Sequence, residues 1–124
     1  MKKNITEIQS IAADLVTYLD RSTPKLTQLA LALRSDSSSS DSLIELQNLP
    51  NALQTLCDFL QSASMLGYDK EANEILTSIL NASKIFLQAQ ETKDLNLLAD
   101  VLEYDLFEFF EATRALCGRI SSGD

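Results

Sequence analysis

Apolar side chains return at threes and fours along almost the whole chain, the spacing that keeps one face of an α-helix apolar, and nowhere do they alternate singly as a strand requires. Ile8, Ala12, Leu15, Leu19, Ser22, Leu26, Leu29 and Leu33 form the first such seam, with one polar member. It predicts a helix over about 5–34. The seam keeps its phase across Pro24, which predicts one kinked helix. Thr23-Pro24 also has the form of a cap and first turn, so a split into two helices there is the alternative.

Asp36 to Asp41 encloses four serines, short polar side chains that favour caps and turns, and predicts a loop. Ser42-Leu43-Ile44-Glu45 has the form of a capping box, which sets the start of a second helix over about 42–66. Its seam is Leu46, Leu49, Leu53, Leu56, Leu60 and Ala63, passing through Pro50 with an expected bend and stopped by Gly67. Asp69 is the expected cap of a third helix over about 70–91, built on Ala72, Ile75, Ile79, Ala82, Phe86 and Ala89. Leu76, Leu80, Ile85 and Leu87 broaden that seam. Glu91-Thr92-Lys93 is the next connection, and Asp94 caps a fourth helix over about 95–117. That helix carries Leu95, Leu98, Leu102, Leu106, Phe109, Leu116 and Ile120, ends at Gly118 and leaves Ser121 to Asp124 as a frayed tail.

Helices of these lengths are rods of roughly 33 to 45 Å. Short connections force sequential neighbours to run antiparallel. The expected fold is all-α, an antiparallel up-down-up-down four-helix bundle, in a single domain over residues 1–124.

Composition narrows what such a fold does. Ten Lys+Arg against 18 Asp+Glu leave a net charge of −8, which repels phosphate backbones and anionic lipid, so neither nucleic acid nor a membrane is an expected partner. The chain has no histidine, which removes the commonest general base and the usual imidazole metal ligand, and with them di-iron sites and histidine-dependent triads. Cys57 and Cys117 stand far apart among apolar neighbours and read as buried free thiols. The segment after Met1 is too polar for a signal sequence, and no apolar run is long enough to span a membrane, so the expected location is the cytoplasm.

The fourth helix is the most informative. Asp94, Asp100, Glu103, Asp105, Glu108 and Glu111 follow one another with no basic residue among them. A helical wheel places Asp100, Glu103, Glu108 and Glu111 opposite the apolar seam, on a solvated face, and Asp105 on its flank, paired with a lysine or a helix cap. Leu97, Tyr104 and Phe107 fall on the same outer face, where a solvated helix has no use for two aromatic rings. Leu97, Tyr104 and Phe107, bordered by Asp100, Glu103 and Glu108, are therefore the candidate interface, for a second copy or a basic protein partner; the plainer alternative is that they cover the bundle edge. No catalytic residue, metal ligand or cofactor is assigned, and the expected function is a non-enzymatic protein–protein interaction or chaperone-like module forming a homodimer.

Three resemblances bear on this. Glu71-x-x-Glu74 and Asp100-x-x-Glu103 resemble the paired acidic motifs of all-α nucleotide pyrophosphohydrolases, with the order of the second pair reversed. That resemblance implies magnesium-dependent hydrolysis of a triphosphate by Glu71, Glu74, Asp100 and Glu103, the alternative to the interaction module. Asp41-Ser42-Leu43 is similar to the tripeptide that carries phosphopantetheine in acyl carrier proteins, although the glycine that usually precedes it is missing and the capping box already accounts for Ser42. Finally, the stretch Lys93-Asp94, Leu97-Leu98-Ala99-Asp100, Leu102-Glu103-Tyr104-Asp105-Leu106 resembles a segment of small uncharacterised helical-bundle proteins of Gram-positive bacteria. It implies a bacterial helical bundle and carries no functional residue with it. Size, acidity and helicity are also similar to those of bacterial flagellar and type III secretion chaperones.

Overall fold

Among the residues described by the computed structural model, 5–35 and 40–123, every regular element is a helix, in three joined runs, the second broken by non-helical backbone at Leu66 and Gly67; side chains are described for 6–35 and 47–123. The first run is α1 (Ile5–Arg34). The second holds α2 (Ser40–Ala63) and α3 (Asp69–Thr92), joined through a kink at Ser64–Tyr68. The third holds α4 (Leu95–Asp100) and α5 (Phe107–Ser122), joined by wider, π-type turns over Val101–Leu106. The chain thus builds three joined runs where the sequence pattern predicts four rods separated by loops.

Both prolines lie inside helices that continue past them, which excludes a split of α1 at Pro24. Proline removes one amide donor and crowds the carbonyl a turn earlier. Pro24 and Pro50 are both exposed. Beside the first, Thr23 Oγ1 donates to the Leu19 carbonyl at 2.7 Å.

The ends of the runs follow backbone chemistry. Gly67 adopts φ 101°, a left-handed value that reverses the chain between α2 and α3. No atom lies within reach of a Cβ built there, so conformation rather than space demands the glycine. Tyr68, not Asp69, is the N-cap of α3, and Asp69 is its first helical residue, where a carboxylate favours the positive end of the helix. Helix α3 continues through Glu91 and Thr92, leaving only Lys93 and Asp94 as the connection to α4. Lys93 takes the left-handed conformation at φ 56°, and the Asp94 amide donates to the Ala89 carbonyl at 3.0 Å, closing α3 in a Schellman-type turn. The Asp94 carboxylate then accepts from the Leu97 amide at 3.0 Å and opens α4. At the far end α5 runs past Gly118 to Ser122. Helix α2 begins at Ser40, two residues ahead of the predicted cap; the side chains of the capping box, Leu46 and the Asp41-Ser42-Leu43 tripeptide lie outside the described residues.

The α1 seam is buried as its spacing requires, except for Ser22, which is half-buried. Leu56 and Leu60 from α2, Ile79 and Phe86 from α3, and Leu102, Leu106, Phe109 and Phe110 from the third run close the same core. Leu53 packs against it half-buried. The expected broadening of the α3 seam occurs only at Leu76, which packs half-buried against the core; Leu80 and Leu87 are 63% and 58% exposed, and Ile85 is at the surface. Leu95 is also exposed, at 42%.

Ion pairs mark the register of the packed runs. Arg34 at the end of α1 reaches Asp100 and Glu103 at the start of the third run, while Asp20 meets Arg114 at 2.9 Å further along. As α1 descends in number the third run ascends, so the two are antiparallel. Arg119 near the end of α5 meets Glu71 at the start of α3 at 2.6 Å, which makes that pair antiparallel as well. Helix α1 packs most extensively along the third run, and only lightly against α2. No helix among the described residues is long and apolar enough to cross a membrane.

Candidate interaction face

The outer face of the third run divides the candidate residues. Tyr104 is 60% exposed and projects from the surface. Leu97 and Phe107, expected beside it, are half-buried and pack against the core. The π-type turns explain the difference: a wider turn advances each residue by less than 100°, so one straight helical wheel cannot describe positions on both sides of 101–106. Phe110 is fully buried.

The acids divide too. Asp100 and Glu103 do not stand free in water but share one guanidinium: Arg34 donates through Nη2 to Asp100 Oδ1 at 2.5 Å and through Nη1 to Glu103 Oε2. Hydrogen bonds to Glu103 first and Asp100 second hold the Arg34 guanidinium above its ordinary pKa. Arg34 also sits in the last turn of α1, where a cation complements the helix dipole. Glu108, Glu111 and Asp105 are exposed, and Asp105 has neither the lysine nor the helix cap expected for it among the described residues.

The register also brings up a residue that the helical wheel left out. Arg34 lies level with 100–103 and Asp20 with Arg114, so Leu31, one turn before Arg34, falls level with Tyr104. Leu31 is 60% exposed, the same as Tyr104. It stands off the buried α1 seam, and this is the one sign of it in the sequence: a leucine out of phase with its neighbours.

The four carboxylates of the hydrolase reading do not converge. Glu71 belongs with Arg119 at one end of the α3–α5 pair, Asp100 and Glu103 with Arg34 at the other, and Glu74 is exposed. Residues 100 and 119 are separated by about 28 Å along the helix axis, far beyond the span of one metal–triphosphate unit. No group of three or more Cys, Asp or Glu side chains among the described residues is placed to hold a metal ion. Both thiols are free; Cys57 is half-buried and Cys117 buried, and burial pushes the Cys117 thiol up to about 12 and the Cys57 thiol upward as well. The Cys117 thiol therefore stays protonated at neutral pH.

Taken together, the chain is of the all-α class, with a leucine- and phenylalanine-rich core, paired surface charges and exposed apolar side chains, Leu31 and Tyr104 among them. The family described as Domain of unknown function (DUF8042) matches residues 10–115, a span that touches every helix, and the chain belongs to that family. No curated protein and no solved structure matches it.

Proposed function

We propose that this chain is a non-enzymatic protein–protein interaction module, chaperone-like in kind, with its helices closing as an up-down-up-down four-helix bundle that self-associates through the Tyr104–Leu31 face. The observation that carries the reading is the pair of large apolar side chains, each three-fifths exposed, level with one another across the α1 and third-run seam. Arg34 supports it by neutralising one of the two acids beside Tyr104, which lowers the like-charge repulsion that a chain of net charge −8 brings to its own copy. The antiparallel registers of α1 with the third run and of α3 with α5 support the bundle topology. Free, burial-protected thiols suit the reducing cytoplasm.

Sedimentation velocity tests the reading. The wild-type chain is expected to form a dimer that Tyr104→Asp and Leu31→Asp each dissolve. Both positions are exposed, so neither change burdens the core, whereas Phe107→Asp would place a charge against it. A wild-type monomer at every concentration reached overturns self-association.

A further inference from the structure

The side of α1 turned toward α2 carries a second surface. A groove made of three adjoining clefts runs between the two helices, walled on α1 by Ile11, Leu15, Tyr18, Leu26 and Leu29. Its opposite wall, on α2, presents Asn48, Asn51, Ala52, Thr55 and Asp58. These residues explain why it stays open. Between Leu49 and Phe59 the facing stripe of α2 offers only short side chains, too small to fill the space opposite Leu15 and Tyr18. Ile11 and Tyr18 are left 36% and 41% exposed, and the open middle cleft has a volume of about 440 Å³.

We propose that this groove seats one amphipathic helix from a basic partner protein. Length is the first argument. From Ile8 to Leu29 the groove extends about 32 Å, the length of a helix of about 20 residues. The walls are the second: an apolar floor takes side chains at i, i+3, i+4 and i+7, while the amides and hydroxyls of Asn48, Asn51 and Thr55 meet the polar edge of a guest helix. Charge is the third. Asp14 and Asp58 flank the groove from opposite walls in its Ile8 half, and neither forms an ion pair with a described residue. Lys25 is at the other end. A guest with lysine or arginine over Asp14 and Asp58 is complementary to these lips and to the net charge of −8, whereas a second acidic copy is repelled. The site is separate from the Tyr104 face and stands whether or not that face forms a dimer.

The test uses the full chain and fluorescence anisotropy with a labelled synthetic peptide of about 20 residues, leucine at the helical spacing and lysine elsewhere. A scrambled peptide of the same composition and a glutamate version are the controls. The periodic leucine–lysine peptide is expected to bind at least about tenfold more tightly than either control. Ala52→Trp, which fills the groove, is expected to weaken it by about the same factor, while Tyr104→Asp leaves it unchanged. In the wild type, backbone amide shifts on titration are expected to cluster at Ile11, Tyr18, Asn51 and Thr55, a readout that stands even if Ala52→Trp fails to fold. Absence of binding, equal binding of the scramble, amide shifts away from the groove, or unchanged affinity in folded Ala52→Trp each overturn the proposal. A dimer lost in Ala52→Trp and kept in Tyr104→Asp would give the groove to a second copy, and overturns it too.

Discussion

Helix α1 meets two neighbours and treats them differently. Against the third run it seals: buried leucines share one core with Leu102, Leu106, Phe109 and Phe110, and ion pairs fasten the seam midway along α1 at Asp20 and at its end at Arg34. Against α2 the same helix leaves a groove, because the facing residues are asparagine, alanine and threonine. The difference is one of side-chain volume, not of polarity alone. Close packing needs interdigitating large and small groups, and α2 supplies only the small ones over two turns.

The largest expected effect separates neighbouring residues of α1. Leu19 is fully buried, and Tyr18, beside it, lines the groove. Leu19→Ala leaves a cavity in the sealed seam and should lower the unfolding free energy by about 3 kcal/mol in urea titrations followed by circular dichroism. Tyr18→Ala should lower it by less than about 1 kcal/mol, since much of the ring is in water already. Equal losses would mean that the groove is a packed interface and would break the comparison.

Adding volume should act with opposite sign on the two sides. Ala12 is fully buried, so Ala12→Leu forces three carbons into filled space and should cost about 2 kcal/mol. Ala52 lines the groove, and Ala52→Leu should gain about 1 kcal/mol by covering Leu15 and Tyr18. The same denaturant titrations read both. A loss at Ala52 would show that α2 is held off α1 by backbone geometry, not by small side chains.

The α1 seam was legible in the sequence because its information is local: spacing along one helix decides which side faces inward, and Ile8, Leu15, Leu19, Leu26, Leu29 and Leu33 are all buried. Leu80 and Leu87 show where that logic ends. A broad apolar face on α3 does not say which part of it a neighbour will cover, and here the neighbours leave these two uncovered. Leu97 and Phe107 were misplaced for a different reason, the wider turns over Val101–Leu106, which break the phase between the two halves of the third run. Arg34 with Asp100 and Glu103 joins residues more than sixty positions apart, so its pairing depends on a register that no single helix contains. The groove was beyond reach for the same reason. Asn48, Asn51 and Thr55 look like an ordinary polar face until α1 is placed opposite them.

The fastening of the sealed side gives the smallest expected effect. Arg34 and Asp100 remain substantially in water, and exposed ion pairs gain little because solvent screens them and ordering long side chains offsets the attraction. Arg34→Gln should therefore shift the melting temperature only slightly downward at low salt, with the shift vanishing near 1 M salt, where screening acts within about 3 Å. Arg34 also neutralises charge beside Tyr104, so the same substitution should weaken self-association more visibly than it weakens folding. Sedimentation of Arg34→Gln at low and high salt separates the two roles. A large drop in melting temperature that salt does not remove would show that the seam depends on this ion pair and not on its leucines.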